Sequence, residues 1–423
     1  MTKSEKNIGF VSTRFSGTDG VTLEAAKWAE VLEKCRHRCF WFGGMLDQGP
    51  ETGFLVPEAY FHHEKNNRIN QAIWGKNHRS SEITGLIHQL RCMLKEKLYE
   101  FIKKFGLNLL IVENALTIPM HVPLGLALAE LIAETQIPTI AHHHDFYWER
   151  VRFSVNAVSE YLRMAFPPYL NHVLHVVINS AAQEELALRT GISSMIIPNV
   201  LDFDNPPVVD VKRTEKFRHS IGLTPDDIMI LQPTRIIQRK GIEHAIELVK
   251  ELNNPRYKLV ISHVAGDEGF EYSNWLQDHA VEQGVDLRLI EAHIPDRWNR
   301  RQASRSEYSL WDVYPFADFI TYPSLSEGFG NAFLEGIYFK KPMLVNRYAT
   351  FVRDIEPQGF DLVVMDGFLT RENVRQVRKI IESPNRREKM VDTNYKIASR
   401  RYSYSVLRKQ LRTLIISFFG DIR

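Results

Sequence analysis

Cysteine is scarce: only Cys35, Cys39 and Cys92 are present. An odd number, with neither a CxxC pair nor a paired zinc spacing, excludes a disulfide framework and fits reduced thiols of a cytosolic protein. Long hydrophobic runs are missing too. No apolar stretch approaches the ~20 residues that span a bilayer. The opening MTKSEKN is polar and leads straight into a strand-like run, without the apolar core of a signal peptide. Neither secretion nor membrane insertion is expected. Charge of one sign is also lacking: 53 Lys+Arg against 51 Asp+Glu leaves a net +2. Such a balance gives no global attraction to nucleic acid. No low-complexity tract and no short repeat interrupts the chain.

What remains is ordinary globular composition, 44% hydrophobic and 25% charged over 423 residues. That length exceeds one typical core and predicts two domains of about 200 residues each. The first half alternates strand-like runs (residues 8–13, 109–112, 139–142, 176–179, 195–198) with helical patterns at residues 21–35 and 86–105. The second half repeats this, with strands expected at residues 228–233, 258–262, 287–291, 319–322 and 343–346 and a helix at 242–252. Continuous apolar strands alternating with helices predict an α/β fold of two doubly wound, Rossmann-like parallel-sheet domains. The aperiodic, proline-bearing residues 202–213 serve as the linker. The expected division is an N-terminal Rossmann-like domain (1–203), a C-terminal Rossmann-like domain (204–400) and a terminal helix (401–423) packing back on the first. In such folds ligands bind at the strand C-termini, in the cleft that the two domains face.

The densest chemistry lies in YPSLSEGFGNAFLEGIYFKKP, from Tyr322 onward. A strand ends at Tyr322, a small-residue loop carries Glu327, and Gly328, Phe329 and Gly330 lead into a helix at Asn331. Glycines allow close backbone approach, and a helix N-terminus suits a diphosphate. Glu335, just over a turn into the helix, can meet a ribose. A strand–turn–helix with two solvated glutamates is the plainer alternative. Arg235 and Lys240, after the strand at 228–233, offer a fork and a point charge for a leaving diphosphate, against the alternative of a solvated basic turn. Arg239 is expected to face outward.

This segment resembles the glutamate-x7-glutamate motif of retaining family 4 glycosyltransferases of the GT-B class. IPNVLDF resembles the family's interdomain segment, PTRIIQRKG its strand-end arginine and Lys-Gly, HHHD its His-Asp after an N-domain strand, and FSGTDGV its glycine loop facing the donor. The resemblance implies a metal-independent hexosyltransferase without a protein nucleophile, in which the leaving phosphate helps to deprotonate the acceptor. It needs no cofactor beyond its nucleotide-sugar substrate. Glu327, Arg235, Lys240 and His144 would be catalytic. Gly17, Gly20, Gly328, Phe329, Gly330, Asn331 and Glu335 would hold the donor. Further strings, such as VSTRFSGTDGVTLEAAKWA, are similar to a subgroup that moves mannose from GDP-mannose to glucosylglycerate, a compatible solute; UDP-glucose remains open as donor.

His142, His143, His144 and Asp145 admit three readings: metal binding, a core hydrogen bond, or contact with a sugar. Adjacent strand residues alternate faces, so three consecutive histidines cannot converge on one ion, and no metal is assigned. Arg14, Arg150 and Arg152, with His142 and His143, are candidates for an anionic acceptor; for the arginines, plain surface charge is the alternative. Asp202 and Asp204 form an Asp-x-Asp that reads as structural, and Asp267 and Glu268 as shaping a turn. Two rivals stand beside the soluble enzyme. One is a membrane-docking lipid or envelope-glycan transferase, suggested by Lys95, Lys97, Lys103 and Lys104. The other is a non-catalytic nucleotide-sugar binding protein. Homo-oligomers are compatible with either.

Overall fold

The computed structural model describes residues 5–17, 19–206, 211–262, 270–290 and 310–420; Asp267 and Glu268 lie outside them. The chain forms two compact units. The first runs to Asn199 and takes in the chain from Ser405; the second is Val200–Tyr404.

Unit one contains β1 (Asn7–Val11), α1 (Gly20–Lys34), β2 (Arg38–Gly43), β3 (Gly53–Leu55), α2 (Glu64–Ile73), α3 (Ser81–Phe105), β4 (Leu109–Glu113), α4 (Val122–Thr135), β5 (Thr139–His143), α5 (Ser159–Ala165), β6 (Val173–Val177), α6 (Ser180–Thr190) and β7 (Ser194–Ile196). The strands form one parallel sheet in the order β3-β2-β1-β4-β5-β6-β7. The sequence pattern places a helix from residue 86, but α3 begins a turn earlier. The Ser80 side chain caps it by accepting from the Ile83 N–H, and Gly106 ends it in the left-handed region. Leu90, Leu94, Leu98 and Phe101 of α3 pack with Leu124, Leu128 and Leu131 of α4 in the core.

Unit two contains α7 (Val211–Ser220), β8 (Ile228–Gln232), α8 (Ile242–Leu252), β9 (Tyr257–Ile261), α9 (Glu271–Glu282), β10 (Leu287–Leu289), α10 (Leu310–Val313), β11 (Phe319–Tyr322), α11 (Asn331–Tyr338), β12 (Met343–Asn346), β13 (Val363–Met365), α12 (Arg371–Glu382) and α13 (Pro384–Arg401). Its parallel sheet runs β10-β9-β8-β11-β12-β13. Helix α7 begins inside the stretch read as a linker, so that stretch is not wholly irregular. The segment around Phe203 docks firmly: Tyr338 Oη donates to the Asp202 and Asn205 carbonyls at 3.0 and 3.1 Å, and Tyr395 Oη to that of Phe203 at 3.1 Å. Asp202 itself accepts from Asn205 Nδ2 at 3.0 and 3.2 Å, a turn-forming contact.

The last helix, α14 (Tyr404–Phe419), groups with unit one from Ser405 on. Gln410 Nε2 donates to the Ile196 carbonyl at 3.3 Å, and the Lys6 ammonium sits 4.2 Å from the centre of the Phe419 ring.

Both sheets reverse their winding once, between β1 and β4 and between β8 and β11. At such a switch point the flanking loops leave in opposite directions and open a crevice beyond the strand ends. Arg14 follows β1, Arg235 and Lys240 follow β8, and Glu327 follows β11, at these two places; His142 to Asp145 lie one strand over, at the end of β5.

Candidate active site

In unit two the loops after β8 and β11 are locked together. The Leu325 N–H donates to the Arg239 carbonyl at 2.9 Å. Gly241 has φ +58°, and a Cβ there would lie 2.6 Å from the Pro323 carbonyl oxygen. Only glycine lets the two loops approach so closely.

This contact brings Lys240 to Glu327. The Lys240 ammonium donates to Glu327 Oε1, and both side chains are only 10% exposed. Arg239 is 43% exposed and is engaged as well. Its Nη1 donates to the Ser326 carbonyl at 2.8 Å and to Glu327 Oε2 at 3.3 Å, because the loop carrying Glu327 folds back over the basic turn. Thr350 Oγ1 donates to the Glu327 carbonyl at 3.0 Å. Burial opposes ionisation of Glu327, but the Lys240 and Arg239 cations win and hold the carboxyl below its usual range. Burial pushes the Lys240 ammonium down, aided by Arg239 and Arg235 and opposed by Glu327. Arg235 is exposed, and no ion pair joins it to a described residue.

Gly330 caps α11 with φ +113°, and a Cβ there would stand 2.6 Å from Tyr348 Oη and 3.1 Å from Tyr322 Oη. Tyr348 Oη donates to the Phe329 carbonyl at 2.9 Å, and Phe329 is buried with its ring centre 5.2 Å from that of Tyr402. Gly328 and Asn331 bracket this turn at the N-terminus of α11. Glu335 lies in the second turn, where its Oε2 accepts from Tyr314 Oη at 2.7 Å.

In unit one the glycine loop is braced by a residue the sequence reading missed. Asp47 accepts from Ser16 Oγ at 2.6 Å and from the Gly17 N–H at 3.0 Å. Gly17 has φ +79° and open space where a Cβ would stand. Gly20 opens α1 behind the Asp19 cap, which also pairs with Arg14 at 2.9 Å. The Arg14 charge is therefore already engaged with Asp19.

The histidines split as strand alternation requires. His142 and His144 turn to Glu113 at the end of β4: His142 Nδ1 and His144 Nε2 lie 3.0 and 3.1 Å from its Oε2. His143 points the other way, with Nε2 2.9 Å from His175 Nδ1. The expectation that His142 and His143 meet an acceptor needs correction: both are only 1% exposed, His142 stacked on Trp28 at 4.2 Å. Of the three, His144 is the one nearer the surface. Its backbone N–H donates to Asn114 Oδ1 at 2.8 Å, and Asn114 Nδ2 donates to Asp145 Oδ1 at 3.2 Å. Glu113, His142 and His144 bring one ligand atom each within 4.8 Å of one another, which is compatible with a metal ion. An ion there would displace both carboxylate–imidazole hydrogen bonds.

Arg150 is exposed and grips Asp145, its Nε donating to Oδ2 at 2.8 Å. The Arg152 guanidinium lies 4.6 Å from the Phe153 ring centre; burial and the neighbouring Arg150 cation push its pKa down. On α3, Lys95 pairs with Glu134 at 2.6 Å and Glu130 at 3.1 Å, and Lys97 with Glu100 at 2.8 Å, so much of that helix's positive charge is matched. Among the described residues, no helix is long and apolar enough to cross a membrane.

Two tandem doubly wound parallel units, one with carboxylates and cations at its switch point, are the architecture of a GT-B glycosyltransferase. A family model described as glycosyl transferases group 1 matches residues 213–397. The chain is 33% identical over 385 residues to the mannosylglucosylglycerate synthase of Petrotoga mobilis, covering 84% of this chain and 86% of the relative. It is 31% identical over 432 aligned positions to the enzyme of the same name from Thermotoga maritima, covering 94% and 96%. Among solved structures, Anabaena HepE in complex with UDP-glucose superposes with a TM-score of 0.65 at 13% identity, over 98% of this chain and 100% of that one. The chain belongs to the group 1 glycosyltransferases, those of family 4 type, among the relatives of mannosylglucosylglycerate synthase.

Proposed function

We propose that the enzyme transfers a hexose, with retention of configuration, from a nucleotide-sugar to a small soluble anionic acceptor, with GDP-mannose and glucosylglycerate as the first pair to test. The observation that carries the reading is the buried Lys240–Glu327 pair beside the N-terminus of α11, with Arg235 left unpaired among the described residues. A nucleoside diphosphate leaving a sugar gains negative charge, and fixed cations and helix N–H groups stabilise it where it develops. Arg235 supplies the forked contact and Lys240 the buried point charge. Gly328, Phe329, Gly330 and Asn331 offer backbone to the diphosphate, and Glu335 offers its carboxylate to the ribose. Glu327, tied to two cations, serves to fix Lys240 and to accept from donor hydroxyls; it is poorly placed to act as a nucleophile, because its charge is already spread over Lys240 and Arg239. The family resemblance carries donor roles to Gly17, Gly20 and His144 of unit one as well. Arg152 suits a glycerate carboxylate, and Arg150 can do so only by leaving Asp145. No metal is called for, since these cations perform the charge neutralisation.

The relatives' name supports mannose as the sugar and glucosylglycerate as the acceptor; the UDP-glucose bound by Anabaena HepE keeps uridine donors in the test. Thermal shifts with GDP, UDP and ADP identify the base: a ligand at 100 times its Kd stabilises the folded state by ~2.7 kcal/mol. Transfer is then assayed with the matching sugar nucleotides, and the anomeric configuration of the product is read by NMR. If no sugar nucleotide gives transfer or donor hydrolysis, the enzyme reading fails; an inverted anomeric centre overturns retention.

A further inference from the structure

The Tyr60–His63 segment, between β3 and α2, is aromatic, partly exposed and tightly fastened. It starts against the end of β2: a Cβ at Gly44 would stand 2.0 Å from the Tyr60 backbone nitrogen. Only glycine lets the segment lie so close. Two successive asparagines of α2 hold the next carbonyls. Asn66 Nδ2 donates to that of Phe61 at 2.8 Å and to that of Met120 at 2.9 Å, and Asn67 Nδ2 donates to that of His62 at 2.9 Å. The His63 N–H closes the turn on the Tyr60 carbonyl at 2.9 Å. The backbone is therefore set without help from the rings. The rings of Tyr60, Phe61 and His62 cluster with centres 4.4–5.6 Å apart, and none of the three is buried.

Arg14 stands beside this cluster. Gly44 joins the two: its N–H donates to the Thr13 carbonyl at 3.0 Å, just before Arg14. The Arg14 guanidinium carbon lies 5.3 Å from the Phe61 ring centre, and Nη2 donates to Asp19 Oδ2 at 2.9 Å. Asp19 is itself fixed by α1. Its Oδ1 accepts from the Val21 and Thr22 N–H groups at 3.1 and 3.2 Å, and its Oδ2 from the Thr22 hydroxyl at 2.7 Å. Arg14 is thus held between a carboxylate and a ring, with 31% of its side chain exposed. Its other N–H groups donate to no described residue. A cation already fixed in place loses little freedom when it meets an anion.

We propose that Arg14 and Phe61, flanked by Tyr60 and His62, form a subsite of unit one for a small glycoside of a hydroxy acid. The aromatic rings pack on the sugar, and the unused N–H groups of Arg14 take the carboxylate. Small-molecule sites pair an aromatic wall with a few fixed polar groups in this way, and in doubly wound sheets they lie beyond the strand C-termini. A neutral sugar would leave the cation unanswered, and a bare anion would leave the rings unanswered. Arg152 also lies against a ring, but that of its own neighbour Phe153, and no described carboxylate fixes it. Arg14, not Arg152, therefore sets the preference for an anion. That the glycoside is the acceptor rests on the transferase reading; the subsite itself does not.

The probe is glucosylglycerate, with neutral glucosylglycerol as its control, added to the full chain in the presence of GDP or UDP. Saturation-transfer NMR reads binding without turnover. Wild type should saturate the glucose protons of glucosylglycerate. Phe61→Leu, which keeps bulk but no ring, should lose most of that signal, and Phe61→Trp should keep it. In turnover, Phe61→Leu should raise acceptor KM about fivefold to tenfold and leave donor KM unchanged. Arg14→Gln should cut the preference for glucosylglycerate over glucosylglycerol, in Kd or in kcat/KM, about tenfold or more, while Arg152→Gln leaves it. Asp19 keeps its bonds to α1 in Arg14→Gln, so the helix stays capped. Absence of binding to wild type overturns the proposal, as does a Phe61→Leu variant that binds like wild type or shifts donor and acceptor KM alike. A preference lost in Arg152→Gln and intact in Arg14→Gln overturns the role of Arg14. Binding that depends on Phe61 in a protein that transfers no sugar refutes the transferase reading and leaves the subsite standing.

Discussion

Lys240 and Glu327 form an ion pair with nine-tenths of each side chain out of solvent, made by loops whose residues stand 87 positions apart. Breaking such a pair from one side leaves a buried charge and costs about 3–5 kcal/mol, whereas replacing both partners with apolar residues removes the penalty. Lys240→Met and Glu327→Leu singly are expected to lower the urea midpoint strongly, and the double variant to be more stable than the sum of the singles predicts. All three should lose transfer. Additive losses would show that the pair is not coupled in the folded protein.

Gly330 is where backbone conformation and packing impose the same residue. Its φ of +113° disfavours any side chain, and Tyr348 Oη occupies the place of a Cβ at 2.6 Å. Backbone strain of this kind costs about 1–3 kcal/mol, and here a steric clash is added. Gly330→Ala should lower the melting temperature and weaken nucleotide binding together, because the turn offering backbone to the diphosphate is displaced. Tyr348→Phe clears the hydroxyl but forfeits its 2.9 Å hydrogen bond to the Phe329 carbonyl. The double variant should be more stable than additivity predicts. Calorimetry of the four proteins decides it.

The Glu327–Glu335 segment was legible because its signals are local: strand, glycine turn and helix follow one another in the chain. The alternation that separates His143 from His142 and His144 was legible for the same reason. Glu113, Asp47 and the role of Arg239 were not. Glu113 reads as the last residue of the strand LLIVE, and its partners lie 29 and 31 residues on. Asp47 braces Gly17 across 30 residues. The first turn of α3 was hidden because Gly85 breaks the apolar pattern and only the Ser80 cap marks its start. Strand β2, RCFWFG, has no alternation to read because five of its six residues are buried. Helix α7 starts so soon after Pro206 and Pro207 that composition alone reads as linker.

Tyr314 Oη donates to Glu335 Oε2 at 2.7 Å and is fully buried. A hydrogen bond to a charged group contributes about 1.5–3 kcal/mol, so this one restricts the carboxylate to a few orientations. In Tyr314→Phe that restraint is gone while the carboxylate remains. Donor KM is expected to rise about tenfold, corresponding to ~1.4 kcal/mol, with kcat changed less, because the ribose is remote from the bond that breaks. Glu335→Gln should raise KM further. A fall in kcat with KM unchanged would move Glu335 from the nucleotide to the reacting sugar.

Acid sensitivity should come from buried histidines. His121 accepts from the Leu124 N–H through Nδ1 at 3.2 Å, and its Nε2 lies 2.8 Å from the Glu58 carbonyl. Burial holds both His121 and His175 down at about 4, against an ordinary 6.5. His142 and His143 are pushed down for the same reason. Between pH 6.5 and 4 the unfolded chain binds these protons and the folded chain does not. The stabilisation is complete above 6.5 and is lost as pH falls toward 4, with a slope of about 1.4 kcal/mol per pH unit for each histidine. His144, shifted the opposite way, adds nothing in this window, because it is protonated in both states below 6.5, and its own stabilisation is lost on the alkaline side. Urea midpoints measured from pH 4.5 to 7 should therefore climb steeply. In His121→Gln, which retains an acceptor and a donor, the slope should be shallower by about one proton's worth. An unchanged slope would mean that His121 is protonated in the folded protein, which its two backbone hydrogen bonds argue against.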